Sequence, residues 1–586
     1  MRVPAVPSAV LRRVPGLPGL PGRATPGTVL ELDLAHGLVT GPPSSPMEAL
    51  RQRNAPSVRA LRDGLRRAAS DDDVLGVLVH VGTCPLSLPE ADEVADLLAD
   101  LATSKPVAAW SETYGELGSG MAGYRVALAA HDVWVQPSGA VGLVGVHAAI
   151  TLVRGALEKV GLEPQFAQRH EFKSAADQLA AREVTDANRT MIQRIADSVL
   201  DDTVARVAAA RGLAEDDVRA AVAQSPVSAR RAHELGLVDH VGYRDEVYAW
   251  AHATWTPEAA PAWRPRYVQR YAADDPARRR DALAGLSGAS RRRPSVAVVD
   301  VGGPIVLGPG QGRQAGADRV CARLRAVGRQ DAVKAVVLRV DSPGGSYVAS
   351  DAIRREVLRL RESGRPVVAS MGSVAASGGY FVAMPADEVV AQPTTLTGSI
   401  GVLAGKVVVA GLLDRVGVVQ ESVDAGDRAG MLSGTRAFTD EEWRVLDDWL
   451  DEVYDDFTRK AAHDRAMPWE ELEPHARGRV WTGADAHQRG LVDHLGGSRL
   501  ALRRAAELAD LDPDDVHVLG TSPLDLLARL KPAESSESPA AAAAVPLLDT
   551  GLVGAGPEAL LHRAAAALGV AVPHGVLSLP WGITVR

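Results

Sequence analysis

Thirteen residues recur 256 positions apart: Tyr124–Gln136 (YRVALAAHDVWVQ, then Pro137) and Tyr380–Gln392 (YFVAMPADEVVAQ, then Pro393). Gly236-Leu237-Val238-Asp239-His240 returns as Gly490-Leu491-Val492-Asp493-His494, and upstream Thr28–Leu34 matches Ser295–Val301 while Val77–Val79 matches Val336–Leu338. The chain is a duplication. It divides into a first copy over 28–256, a connection over 257–294, a second copy over 295–512 and a tail over 513–586. In each copy, short Val/Leu-rich runs bounded by turn residues alternate with helical patterns, as buried parallel strands with crossover helices require. The expected fold is an α/β strand/helix spiral, present twice. The helix after Pro89 is expected to bury Val94, Leu97, Leu98 and Leu101, and its counterpart Val348, Ile353, Val357 and Leu360.

The segments outside the copies carry little. Residues 257–294 are rich in Arg, Pro and Ala, with Arg278-Arg279-Arg280 and Arg291-Arg292-Arg293; in a chain of net charge −9 this is a solvated linker rather than a nucleic-acid surface. Pro532–Pro546 cannot bury enough apolar surface to order itself, so the tail is expected to be partly disordered. Pro4, Pro7, Pro15, Pro18 and Pro21 break the N-terminus before a signal peptide or spanning segment could form, and no other run is long enough. No transmembrane helix is expected; the location implied is cytoplasmic, or peripheral at the cytoplasmic membrane. The two cysteines, Cys84 and Cys321, have neither metal nor disulfide spacing.

Comparing the copies exposes the chemistry. In the second, Asp341-Ser342-Pro343-Gly344-Gly345-Ser346 forces a turn whose amides can face a ligand. The run Ala375-Ala376-Ser377-Gly378-Gly379-Tyr380 places a serine where a helix opens, with helix-end charge and free amides suited to an oxyanion. Taken locally, Ser377 is as readily an N-cap. At the matching position the first copy has Met121, and its glycine turn is replaced by Thr83-Cys84-Pro85-Leu86-Ser87. A cap would be kept or exchanged for another cap; losing serine and turn together means losing one site.

A nucleophilic serine needs a base. No histidine lies between Ser377 and His463, although His463, His494 or a histidine of the first copy could approach in space. Lysine is the alternative. Lys173, in Glu171-Phe172-Lys173-Ser174-Ala175, precedes a helix start at Thr185-Asp186, and its counterpart is Arg428, before Thr439-Asp440. Arginine does not deprotonate in proteins. Each copy therefore holds the member of a serine/lysine pair that the other lacks. Only 7 of the 64 basic residues are lysines. An uncharged lysine at pH 7 costs about 4.6 kcal/mol, which burial at a domain interface must impose. Ser399, in Thr397-Gly398-Ser399-Ile400-Gly401, is the hydroxyl that could orient the amine, though it is equally an ordinary turn serine. Lys406 is a rival base, expected to be an exposed strand-end lysine.

Together, Asp341–Ser346, Ala376–Tyr380, Thr397–Gly401 and Phe172–Ala175 resemble the S49 serine proteases of the signal peptide peptidase type, in their long duplicated form, over about residues 28 to 512. The resemblance implies a Clp/crotonase-like fold and a ring-like homo-oligomer, a tetramer, with active sites facing a concave interior. It also implies Ser377 as nucleophile, Lys173 as general base, Ser399 holding the lysine, and Gly378 with Gly344 or Gly345 as oxyanion donors. The substrates implied are cleaved signal peptides or other short apolar peptides. That family commonly carries an N-terminal membrane anchor, from which this chain departs, leaving at most a peripheral membrane contact. No cofactor or metal is expected: there is no HExxH, CxxC, SxxK or P-loop, and Gly308-x-Gly310-x-Gly312 misses the dinucleotide spacing and reads as a mobile loop. Two other classes share these features, a crotonase-like acyl-CoA enzyme and a non-catalytic membrane-associated scaffold.

Overall fold

The structure, a computed structural model, describes residues 27–39, 55–116, 118–256, 263–275, 293–519 and 576–578. The N-terminal proline run, both arginine triplets but for Arg293, and Pro532–Pro546 lie outside them. The protein is a mixed α/β molecule of two lobes, each built on a largely parallel sheet. Besides a two-residue pair, Ala140–Val141 with Val227–Ser228, lobe 1 has strands β1 (Thr28–Asp33), β2 (Val74–His80), β3 (Val107–Ser111), β4 (Asp132–Val135), β5 (Glu163–Gln168), β6 (His240–Val241) and β7 (Arg264–Tyr267). All but β5 form one sheet in the order β6-β4-β3-β2-β1-β7. Lobe 2 has β8 (Ser295–Gly302), β9 (Ile305–Val306), β10 (Ala315–Gly316), β11 (Val333–Ser342), β12 (Gly344–Gly345), β13 (Val367–Ala376), β14 (Glu388–Ala391), β15 (Leu396–Gly398), β16 (Leu403–Val408), β17 (Val480–Thr482), β18 (His494–Leu495) and β19 (His517–Leu519). Its main sheet runs β17-β15-β13-β11-β8-β19, with β14 and β18 branching from β13.

The duplication is visible in individual hydrogen bonds. The Tyr124 hydroxyl donates to the Leu237 carbonyl at 2.5 Å, and Tyr380 donates to Leu491 at 3.1 Å. Arg211 pairs with Asp239, whose carboxylate accepts from the Val133 amide; Arg465 pairs with Asp493, which accepts from Val389. One buried tyrosine and one arginine/aspartate clamp thus close each sheet edge in the same way.

Local chemistry starts the helices. Helix α1 is Val58–Ala69, and α2 (Leu88–Ala102) opens on a capping box between Ser87 and Glu90, with Pro89 in its first turn. Its Val94, Leu97, Leu98 and Leu101 are buried. A short α3 (Met121–Ala127) follows, then the long α4 (Asp186–Arg211), capped by Thr185, and α5 (Val268–Ala273). The helices of lobe 2 include α6 (Ala317–Gly328), α7 (Tyr347–Glu362), α8 (Gly378–Ala383), α9 (Asp440–Asp464), with a Thr439/Glu442 capping box, and α10 (Ser498–Leu508). Ile353, Val357 and Leu360 of α7 face the core, but Val348 is 58% exposed. It sits five residues before Ile353, off the i, i+4, i+7 stripe.

Two boundaries differ from expectation. Arg264–Tyr267, within the expected linker, pairs with β1 as an edge strand, and α5 packs on α1. Strand β19, beyond residue 512, pairs with β8. The glycine segment Gly308–Gly312, expected to form a mobile loop, lies in a turn held by the Asp318 amide on the Gly308 carbonyl and Ala315 on Pro304. No helix among the described residues is long and apolar enough to cross a membrane.

The lobes join through three devices. Strand β5 of lobe 1 pairs antiparallel with β16 of lobe 2 along its whole length. Helix α4 crosses the junction: Met191, Ile192 and Ile195 pack with Ala376, Leu396 and Val480, while Val204, Val207 and Ala208 lie in the lobe 1 core. Finally, polar side chains of α2, buried at Asp92 and Glu93, reach lobe 2, where Arg339 donates to Glu93 at 2.6 Å, Gln392 to Asp96 at 2.7 Å and Thr394 to Asp92 at 3.2 Å. Removing one partner of such a buried pair strands the other charge. Arg339→Met should therefore cost about 3–5 kcal/mol in urea unfolding, and adding Glu93→Leu should recover much of it.

Candidate active site

Strand β13 is ten residues long: with β11 along one edge, it serves two neighbours in succession along the other. Val368–Ser370 pair with β14, and Val374–Ala376 pair with β15. Its end delivers Ser377 to the start of α8 in a strand-to-helix turn with φ 55° and ψ −113°, a region that costs a non-glycine residue about 1–3 kcal/mol. The strain is held by the Ser377 amide donating to Gly398 and the Phe381 amide donating to Ser377, both at 2.8 Å. Helix α8 spans only six residues, so what it offers at its start is the Gly378 amide itself.

The glycines are there to let two loops touch. A Cβ on Gly379 would meet the Ser342 carbonyl at 2.4 Å, and one on Gly378 would stand 3.0 Å from Gly344 Cα and 3.1 Å from the Gly345 nitrogen. Gly344 and Gly345 have φ of 100° and 148°. The Gly344 amide donates to Ser342 Oγ at 3.2 Å. Of the two glycines expected to stabilise an oxyanion, Gly345 is therefore the one whose nitrogen flanks Gly378 without that commitment.

Lys173 arrives from lobe 1. Five residues after β5 leaves the ribbon, its backbone is clasped by lobe 2: the Arg169 amide donates to Val402 and Phe172 to Arg477. Gly478 presses so closely that a Cβ would lie 2.5 Å from Lys173 Cβ. The side chain is wholly buried, and Nζ lies 2.8 Å from Ser377 Oγ, 3.0 Å from Ser399 Oγ and 3.1 Å from the Ser399 carbonyl oxygen. Ser399 is itself held at φ 51°, with its amide donating to Arg479. Among the described residues no carboxylate pairs with Lys173, in contrast to Lys460, which meets Asp351 and Asp456. Burial alone pushes the Lys173 amine well below the ordinary lysine pKa.

The rivals lie elsewhere. Lys406 is buried rather than exposed; its amine donates to the Met431 carbonyl at 2.7 Å and sits 4.0 Å over the Phe438 ring. His463 bonds its neighbour Asp464, and His494 pairs with Glu388. In lobe 1, Met121 stands at the position equivalent to Ser377 and accepts a hydrogen bond from Thr203, and burial raises the thiol of Cys84, in the turn that replaces the glycine turn, to about 12. Sequence inspection picks out Ser377, Lys173, Ser399, Gly378, Gly344 and Gly345, and the structure brings all six together. It misses Gly478, whose only trace is a lone glycine between Arg477 and Arg479 with nothing periodic around it.

The model of peptidase family S49 matches residues 99–255 and 359–512, one stretch in each copy. The chain is 31% identical over 461 residues to "Serine protease SPPA, chloroplastic" of Arabidopsis thaliana, covering 78% of this chain and 66% of that protein. It is 29% identical over 456 residues to "Protease 4" of Salmonella typhi, covering 77% and 71%, and 27% identical over 463 residues to "Protease 4" of Haemophilus influenzae, covering 77% and 72%.

Proposed function

The chain belongs to peptidase family S49, and on that premise we propose that it is a serine endopeptidase whose nucleophile is Ser377 and whose general base is Lys173. The observation that carries this is the 2.8 Å approach of Nζ to Oγ in a fully buried seam where, among the described residues, no carboxylate pairs with the amine. A neutral amine has one lone pair and two N–H bonds. The lone pair takes the Ser377 proton, while the two N–H groups donate to Ser399 Oγ and the Ser399 carbonyl. Ser377 then attacks a peptide carbonyl, and the Gly378 and Gly345 amides hold the oxygen as it becomes negative. The protonated lysine gives its proton to the leaving amine, the acyl group stays on Ser377 Oγ, and a water activated by the same lysine releases it. The substrates are cleaved signal peptides or other short, apolar, unfolded chains. The assembly is a tetrameric homo-oligomer that works in the cytoplasm or at the surface of the cytoplasmic membrane.

A fluorophosphonate probe with peptide mapping, run beside hydrolysis of an unfolded apolar peptide, tests this reading. Labelling confined to Ser377 and matched by loss of hydrolysis supports it; an unlabelled Ser377 in a protein that hydrolyses nothing overturns it and favours a scaffold. Labelling that leaves hydrolysis intact overturns it too. Ser399 is a positioning residue. Ser399→Ala should lower kcat roughly 10²-fold with little change in KM, because the amine loses the contact that aims its lone pair. Since the reactive amine is the unprotonated one, activity should fall as pH drops through the depressed Lys173 pKa, and single-turnover rates across pH measure that limb.

A further inference from the structure

Val576, Leu577 and Ser578, far along the chain from both lobes, lie beside this site. Leu577–Ser578, here β20, pairs antiparallel with β12, so Gly345 faces Leu577 and Gly344 faces Ser578. On the other side the Leu403 amide donates to the Val576 carbonyl at 3.0 Å, at the start of β16 and four residues after Ser399. The segment is therefore an inserted strand, bounded by the glycine turn on one side and the strand that follows Ser399 on the other. Leu577 is wholly buried and belongs to the main lobe 2 core, against which Val576 also packs. The Leu577 carbonyl oxygen lies 2.1 Å from the point a Gly344 Cβ would occupy, and the Gly378 nitrogen lies 2.7 Å from that same point. A carbonyl of the segment thus converges with the amide next to Ser377.

We propose that residues 576–578 occupy the peptide-binding cleft in the manner of a substrate, so that the chain competes with peptides for its own active site. The proposal rests on the peptidase reading and adds its regulation and its preferred ligand. A two-residue strand such as β12 exposes backbone groups that any extended peptide can pair with, and strand addition of this kind takes affinity from the main chain and selectivity from side-chain pockets. Both backbone edges of the cleft are already paired, so an incoming peptide must displace this one. The closed position filled by Leu577 selects an aliphatic side chain of leucine size. Because the occupant belongs to the same chain, its pairing is intramolecular, and a dilute peptide competes against an effective concentration rather than a free one.

Three proteins test this: the full chain, full-length Leu577→Asp, and a chain ending at residue 575, each with its C-terminus verified by intact mass. A quenched fluorogenic peptide with a central leucine should show kcat/KM about tenfold or more higher for both altered proteins, chiefly through lower KM. A fluorescent peptide of residues 572–582 should bind the shortened chain, not the full one, and compete with substrate, while its Leu577→Asp version should not. Equal KM in all three proteins, or equal binding of the fluorescent peptide to the full and shortened chains, overturns self-occupancy. Binding confined to the shortened chain with no hydrolysis by any protein upholds occupancy and sinks the peptidase reading instead.

Discussion

Ser377→Ala should abolish peptide hydrolysis, lowering kcat/KM by roughly 10⁴- to 10⁶-fold, and should eliminate labelling by a fluorophosphonate. The loss is large because nothing nearby can substitute. Ser399 is the other hydroxyl within reach of the amine, but its backbone is pinned at φ 51° by the Arg479 carbonyl. The fold should survive, since the turn around residue 377 is held by backbone bonds to Gly398 and Phe381 rather than by the hydroxyl. An unchanged thermal midpoint beside lost turnover is the expected pair of readings. Retained turnover would remove Ser377 from the chemistry and favour the acyl-CoA alternative.

Lys173→Met should be nearly as damaging to turnover, and Lys173→Arg should not rescue it, because a guanidinium keeps its proton. Stability should move the opposite way. The unfolded chain carries a protonated lysine below its ordinary pKa, whereas the folded chain holds the amine unprotonated down to a much lower pH. Between those two pKa values the unfolded state binds the extra proton, so wild-type stability rises with pH across that window and is diminished below it. Methionine removes the dependence. Urea unfolding at several pH values should show Lys173→Met more stable than wild type near neutrality, with the advantage shrinking in alkali. Mixing the Lys173→Met and Ser377→Ala proteins should restore nothing, because both groups come from the same chain.

What the sequence discloses and what it conceals follow from range. The duplication, the α/β alternation, the helix starts near Pro89, Thr185 and Thr439, and the serine/lysine complementarity are all local or repeated signals, and all are visible in the residues. Strand β7 is hidden because Arg-Pro-Arg-Tyr lies on a sheet edge with its side chains largely in solvent, which leaves no alternating pattern. His517–Leu519 and Leu577–Ser578 are too short for any period to register, and only a partner strand gives them shape. Gly478 matters because a lysine from another lobe passes against it, a contact across some three hundred residues that no spacing announces. Lys406 misleads because its burial comes from Phe438 and Met431, which the β16 sequence does not contain.

The ribbon of β5 and β16 bears on how the molecule is made. Lys173 leaves the ribosome 204 residues before Ser377, so at about 5–20 residues per second the amine waits on the order of 10–40 s for its hydroxyl. β16 itself, the strand that clasps β5, emerges later still. On the proposed mechanism a nascent chain is thus harmless to its neighbours, and a fragment cut between the lobes inherits half a reaction centre. With Lys173 as the proposed base, hydrolytic capacity begins only when the last-made lobe closes onto the first.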